Sequence, residues 1–116
     1  MKQKDIVVKI LQYIKKEDHV SFLEIERLFK SVGFPYKGSL PLCSDTDENI
    51  LYWNGWNKGA IKIISKVLRD GGIFINPTDT ITYVIDGGGL DLPIARNSDE
   101  KYKVPHWQPI TLNVAK

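Results

Sequence analysis

Hydrophobic positions recur at helical spacing over the first seventy residues. Ile6, Val7, Ile10, Leu11 and Ile14 share one face from about residue 3 to 16, with the lysines mostly off that stripe, which predicts a first helix. Phe22, Ile25, Leu28, Phe29 and Val32 repeat the pattern. Ser21, three residues before Glu24, has the spacing of a capping box, and Gly33 and Pro35 close this second helix. His19-Val20, just ahead of it, predicts a short strand. A third helix starts after Asn57: on a wheel of about 100° per residue, Ala60, Ile61, Ile63, Ile64, Val67 and Leu68 fill one arc. Lys58, Lys62, Lys66 and Arg69 fill the opposite one.

Gly71-Gly72 stops that helix, and the period then changes. IFI predicts a strand, Asn-Pro-Thr-Asp a turn, and TITYVI a returning strand that ends at Asp86-Gly87-Gly88-Gly89. The connection over 33–56 is long for a helix-to-helix link and keeps Phe34, Tyr36, Tyr52, Trp53 and Trp56, with NILYW at 49–53 a candidate strand. The last thirty residues hold three prolines and two short β-like runs, KYKV and ITLNV. They predict an extended arm that packs back on the rest or is partly mobile.

Helix, short strand, helix, connection, basic helix and wing is the order of a winged helix-turn-helix. The expected fold is therefore α+β: three helices plus a β-hairpin wing, with a long link between helices two and three and an extended C-terminal arm. Residues 1–90 form the winged-helix domain, and 91–116 the arm, packed on the same domain.

Composition sets bounds on this picture. A chain of 116 residues, 42% of them hydrophobic, can bury one ordinary core and hardly two. A formal charge of +2 is too small by itself to imply a polyanionic partner. Its distribution says more: residues 1–16 carry five lysines against Asp5, and 58–69 carry four basic groups and no acid. The acids gather at 17–26, 45–48 and 99–100, so the molecule is expected to have a basic side. A lone Cys43 excludes an internal disulfide and points to a reducing, cytoplasmic setting. No apolar run approaches a membrane span.

The cationic arc on helix three has two readings, a solvated face or a phosphate-binding one. The absence of any acid between Lys58 and Arg69 favours the second, because a merely soluble helix more often mixes signs. Aromatics add to it. Tyr52, Trp53 and Trp56 stand immediately before Asn57 and the basic helix, and Tyr102 and Trp107 lie among Arg96, Lys101, Lys103 and His106. Rings interleaved with cations suit single strands, whose exposed bases stack on aromatics at roughly 1–3 kcal/mol each while lysines follow the phosphates. The competing reading is that these rings fill a small core; Trp107, between Pro105 and Pro109, is the least periodic in context and the strongest stacking candidate.

Catalytic signals are weak, and no enzyme activity, metal or cofactor is expected. Asp45, Asp47 and Asn49 occupy the first, third and fifth places of a calcium loop, but Ile50 stands at the glycine position and Trp56 at that of the closing glutamate. Gly87-Gly88-Gly89 lacks the Gly-Lys-Ser/Thr ending of a phosphate-binding loop. His19 and His106 sit in no zinc or nucleophile motif.

ILYWNGWNKGAIKII at 50–64 and GGIFINPTDTITYVIDGG at 71–88 resemble the small winged-helix single-stranded-DNA-binding proteins encoded beside replication genes in staphylococcal cassette chromosome elements. The resemblance covers essentially the whole chain and implies a replication accessory that binds single strands through a winged helix. The site residues rest on charge and aromatic pattern instead: Tyr52, Trp53, Trp56, Asn57, Lys58, Lys62, Lys66, Arg69, Arg96, Lys101, Tyr102, Lys103 and Trp107. The expected function is sequence-independent binding of single-stranded DNA during replication of a mobile element, beside a helicase or polymerase. Two alternatives stand next to it. One is a duplex-binding transcriptional regulator, against which the central exposed face of helix three offers lysines in place of base-reading Asn, Gln or Arg. The other is a winged helix that binds only protein within a replication complex.

Overall fold

The computed structural model describes residues 2–96 and 101–114. Among them the chain forms four helices and two small sheets, a mixed α+β arrangement. α1 spans Gln3–Glu17 and buries Ile6, Val7, Ile10 and Ile14. It ends where Asp18 and His19 both take left-handed backbone angles, with the Asp18 amide still bonded to the Ile14 carbonyl. α2, Phe22–Ser31, starts on the predicted capping box with both arms made: the Glu24 amide donates to Ser21 Oγ at 3.3 Å, and the Ser21 amide to Glu24 Oε2 at 3.0 Å.

The 33–56 connection is a β-hairpin. β1, Lys37–Cys43, pairs antiparallel with β2, Ile50–Trp56, through an irregular register. The strand read from NILYW is the first part of β2. Gly38 lies against the chain where it enters the next helix; a Cβ there would stand 2.6–2.7 Å from the backbone of Trp56 and Asn57, so no larger residue fits without a shift. α3 follows at Lys58–Asp70. Its N-cap is Asn57, whose side chain accepts from the Ala60 amide at 2.9 Å and donates to the Pro35 carbonyl at 2.7 Å.

The predicted wing differs. Phe74–Pro77 is a strand, β3, but residues 80–86 are α4, Thr80–Asp86, and not its returning partner. The partner comes from the arm: β5, Ile110–Asn113, lies antiparallel to β3 with Phe74 opposite Asn113 and Pro77 opposite Ile110. On its other edge β5 bridges Val20, the Val20 and Leu112 amides each donating to the other's carbonyl. All four β5 residues are buried, with Leu112 flanked on both sides, so this segment outcompetes TITYVI for the β3 edge. The Asn-Pro-Thr-Asp turn becomes the end of β3 and the approach to α4. KYKV forms no strand; β4 is His106–Trp107, parallel to β2 in a β1-β2-β4 sheet.

The arm thus enters the core. A column of rings runs through the molecule from Phe29 to Trp56, Phe22, Trp53, Tyr83 and Trp107, with neighbouring centroids 5.1–6.1 Å apart. Tyr83 ties α4 into it: its hydroxyl donates to the Ile110 carbonyl at 2.6 Å and accepts from the Phe22 amide at 3.3 Å. Burial pushes this phenol well above its usual range. Ser21 Oγ donates to Asp86 Oδ2 at 2.6 Å, and Arg27 Nη2 to the Asp86 carbonyl, which clasps the end of α4 to α2. No helix among the described residues is long and apolar enough to cross a membrane.

Candidate nucleic-acid interface

The α3 arc divides as its periodicity dictates. Ala60, Ile63, Ile64 and Val67 are buried, and Lys58, Lys62, Lys66 and Arg69 are exposed. Three of these cations do not stand alone. α1 packs beside α3, and between them opens a groove of about 540 Å³ lined by Lys62, Lys66 and Arg69 from α3 and by Gln3, Lys4 and Val7 from α1. Gln3 and Lys4 were not among the residues singled out from the sequence. The signal was present in the lysine-rich start of the chain, but only the packing of α1 against α3 shows which lysine faces the groove.

One acid intrudes at its end. Asp70 Oδ2 accepts from Lys66 Nζ at 3.2 Å and Oδ1 from Arg69 Nε at 3.3 Å. These two bonds hold the Asp70 carboxyl below the usual carboxylate range. All three side chains are open to water, so the pairs are weak and exchangeable.

The aromatic half of the expected site is elsewhere. Trp53, Trp56 and Trp107 are 4%, 1% and 3% exposed, so none offers a face on which a base can stack. The correction applies most to Trp107, which pairs in β4 and donates its indole N–H to the Tyr52 carbonyl at 3.2 Å. Trp53 and Trp56 both donate their indole N–H to Oε2 of Glu26, each at 2.8 Å. Glu26 had no role in the sequence reading, although it falls on the same α2 stripe as Phe22 and Phe29, and an acid within an apolar stripe signals a buried partner.

Tyr52 remains half-buried beside α3. The arm residues form a separate cluster around the hairpin turn. Lys101 Nζ donates to the Thr46 carbonyl at 2.7 Å, and the Tyr102 ring stacks on His106 at 3.9 Å. The Tyr102 carbonyl accepts from Asn49 Nδ2, while its amide and that of Asn49 donate to the Asp47 carboxylate. Those amides draw the Asp47 carboxyl below its ordinary range. Lys103 is exposed nearby, and Arg96 is exposed beside a hollow bounded by Pro77 and Pro109. None of Arg96, Lys101, Tyr102 and Lys103 lines the α1–α3 groove. Asn57 serves as the cap of α3. No group of three or more His, Cys, Asp or Glu with metal-binding geometry occurs among the described residues.

Comparison with family models, with curated proteins and with solved structures finds no match.

Proposed function

We propose that the protein binds single-stranded DNA without strong sequence preference, in support of the replication of a mobile genetic element. The observation that carries this reading is the open groove lined by Lys4, Lys62, Lys66 and Arg69, four exposed cations on two packed helices that a phosphate chain can follow. The strand order Val20–β5–β3 supports the winged-helix part of it. A winged helix's three-stranded sheet has that order, although here Val20 contributes a single bridge, α4 follows β3 where a returning wing strand is expected, and a hairpin lies between α2 and α3. The resemblance of residues 50–64 and 71–88 to the cassette-chromosome proteins points the same way.

A second reading has its own observation. Ile81, Val84 and Ile85 of α4 are 65%, 69% and 79% exposed and lie on one helix face, which favours a protein-binding role within a replication complex. Titrating the full chain against labelled single-stranded and duplex oligonucleotides of equal length, at two salt concentrations, separates the readings. Salt-sensitive preference for single strands of any sequence supports the first. Preference for a particular duplex supports a regulator, and binding to neither leaves the protein-interaction role.

A further inference from the structure

Two grooves flank the C-terminal half of α3, and Ser65 and Arg69 line both. The first is the basic α1–α3 groove. The second, about 360 Å³, opens on the other side, between α3 and the hairpin. Its apolar wall is made by Leu42 from β1, Leu68 from α3, Ile75 from β3 and the half-buried ring of Tyr52 from β2. Cys43 adds a neutral wall, because burial, reinforced by the Glu48 charge, raises its thiol and keeps it protonated. Charge enters only through Arg69 and through Asp45, an exposed carboxylate with no hydrogen bond or ion pair among the described residues.

The combination is selective. A partly apolar groove with an aromatic wall accepts a base, and it adjoins the basic groove through Arg69, so a strand lying in the first groove can turn one base into the second. A paired base is not free to enter. The carboxylate then discriminates, since it can only accept hydrogen bonds. Thymine presents one N–H between two carbonyls that repel it, and adenine and cytosine present an amino group beside a lone-pair nitrogen. Guanine alone presents two adjacent donors, N1–H and the N2 amino group, which match the two carboxylate oxygens.

The geometry points to a subsite for a single unpaired guanine between the hairpin and α3, with Tyr52 against its ring and Asp45 on its Watson–Crick edge. This inference rests on the single-strand reading and adds a base preference to it. Its test is fluorescence anisotropy with the full chain and thymidine strands of about twelve nucleotides, either unbroken or with one central guanine, hypoxanthine, adenine or cytosine. The central guanine should tighten binding about tenfold, the factor expected from hydrogen bonds to a charged acceptor. Hypoxanthine, which lacks the N2 amino group, should lose most of that gain. Asp45→Asn should remove the guanine advantage, with circular dichroism confirming the fold. Equal affinity for all five strands overturns the subsite while leaving single-strand binding intact, and so does a guanine advantage that survives Asp45→Asn. Failure to bind any strand overturns both.

Discussion

The outer arc of α3 and the ring column behind it contain the two residue types that a single-strand binder uses, and the fold sends them to opposite sides. The lysines stay in water because a cation gains nothing from a core without a partner. The tryptophans go inside because each removes a large apolar surface from water, and their one polar atom finds an acceptor: Glu26 for Trp53 and Trp56, the Tyr52 carbonyl for Trp107. Charge pattern is thus a usable guide to the surface of this chain. Aromatic pattern is a guide to its core.

The sharpest way to break that division is Trp107→Ala. A buried indole replaced by a methyl group should cost about 3–5 kcal/mol, read as a large fall in the urea or thermal midpoint. Single-strand affinity of the folded fraction should hardly change. Near-normal stability with lost binding would return Trp107 to the surface. Glu26→Ala comes next, leaving two indole donors without their acceptor at a cost of about 2–3 kcal/mol. Glu26→Gln, which retains a carbonyl oxygen, should recover much of this.

On the other side of the division, replacing Lys4, Lys62 and Lys66, the three lysines of the α1–α3 groove, together by alanine should leave the unfolding midpoint nearly unchanged. The same change should weaken single-strand binding and flatten its logarithmic salt dependence by about 2, at roughly 0.7 per phosphate contact. A folded triple variant with the wild-type salt slope would move the binding face elsewhere. The smallest expected effect is that of Asp70→Asn. It frees Lys66 and Arg69 from their carboxylate partner, so affinity should rise a few-fold at low salt. A fall in affinity would mean that Asp70 positions these cations and does not compete for them.

What could be read from the sequence follows from the length of each signal. α1, α2 and α3 each repeat the helical period over ten residues or more, and the Ser21–Glu24 box stands where the second of those periods begins. α4 has seven residues, alternates as a strand would, and buries only Tyr83. Its helical state depends on distant groups, the Ile110 carbonyl and the Phe22 amide, that no local window contains. The loss of TITYVI as a wing strand is the same effect seen from the other end: Ile110–Asn113 reaches the β3 edge from more than thirty residues away and has Val20 waiting on its second edge. Trp53 and Trp56, three residues apart, would face opposite sides of a regular strand. Both reach the core because Gly55, at φ +96°, breaks the alternation between them. The basic face needed no such knowledge, since four like charges on one arc of a thirteen-residue helix remain outside whatever the rest of the chain does.

The central claim, that cations and not tryptophans hold the nucleic acid, has a direct test. The full chain is titrated with a labelled single strand at low salt while strand anisotropy and intrinsic tryptophan emission are followed together. Anisotropy should saturate, and added salt should reverse it, while the emission of the three buried indoles stays nearly constant. Emission quenched in step with the anisotropy would place a base against an indole and contradict the account, as would the absence of any anisotropy change at low salt.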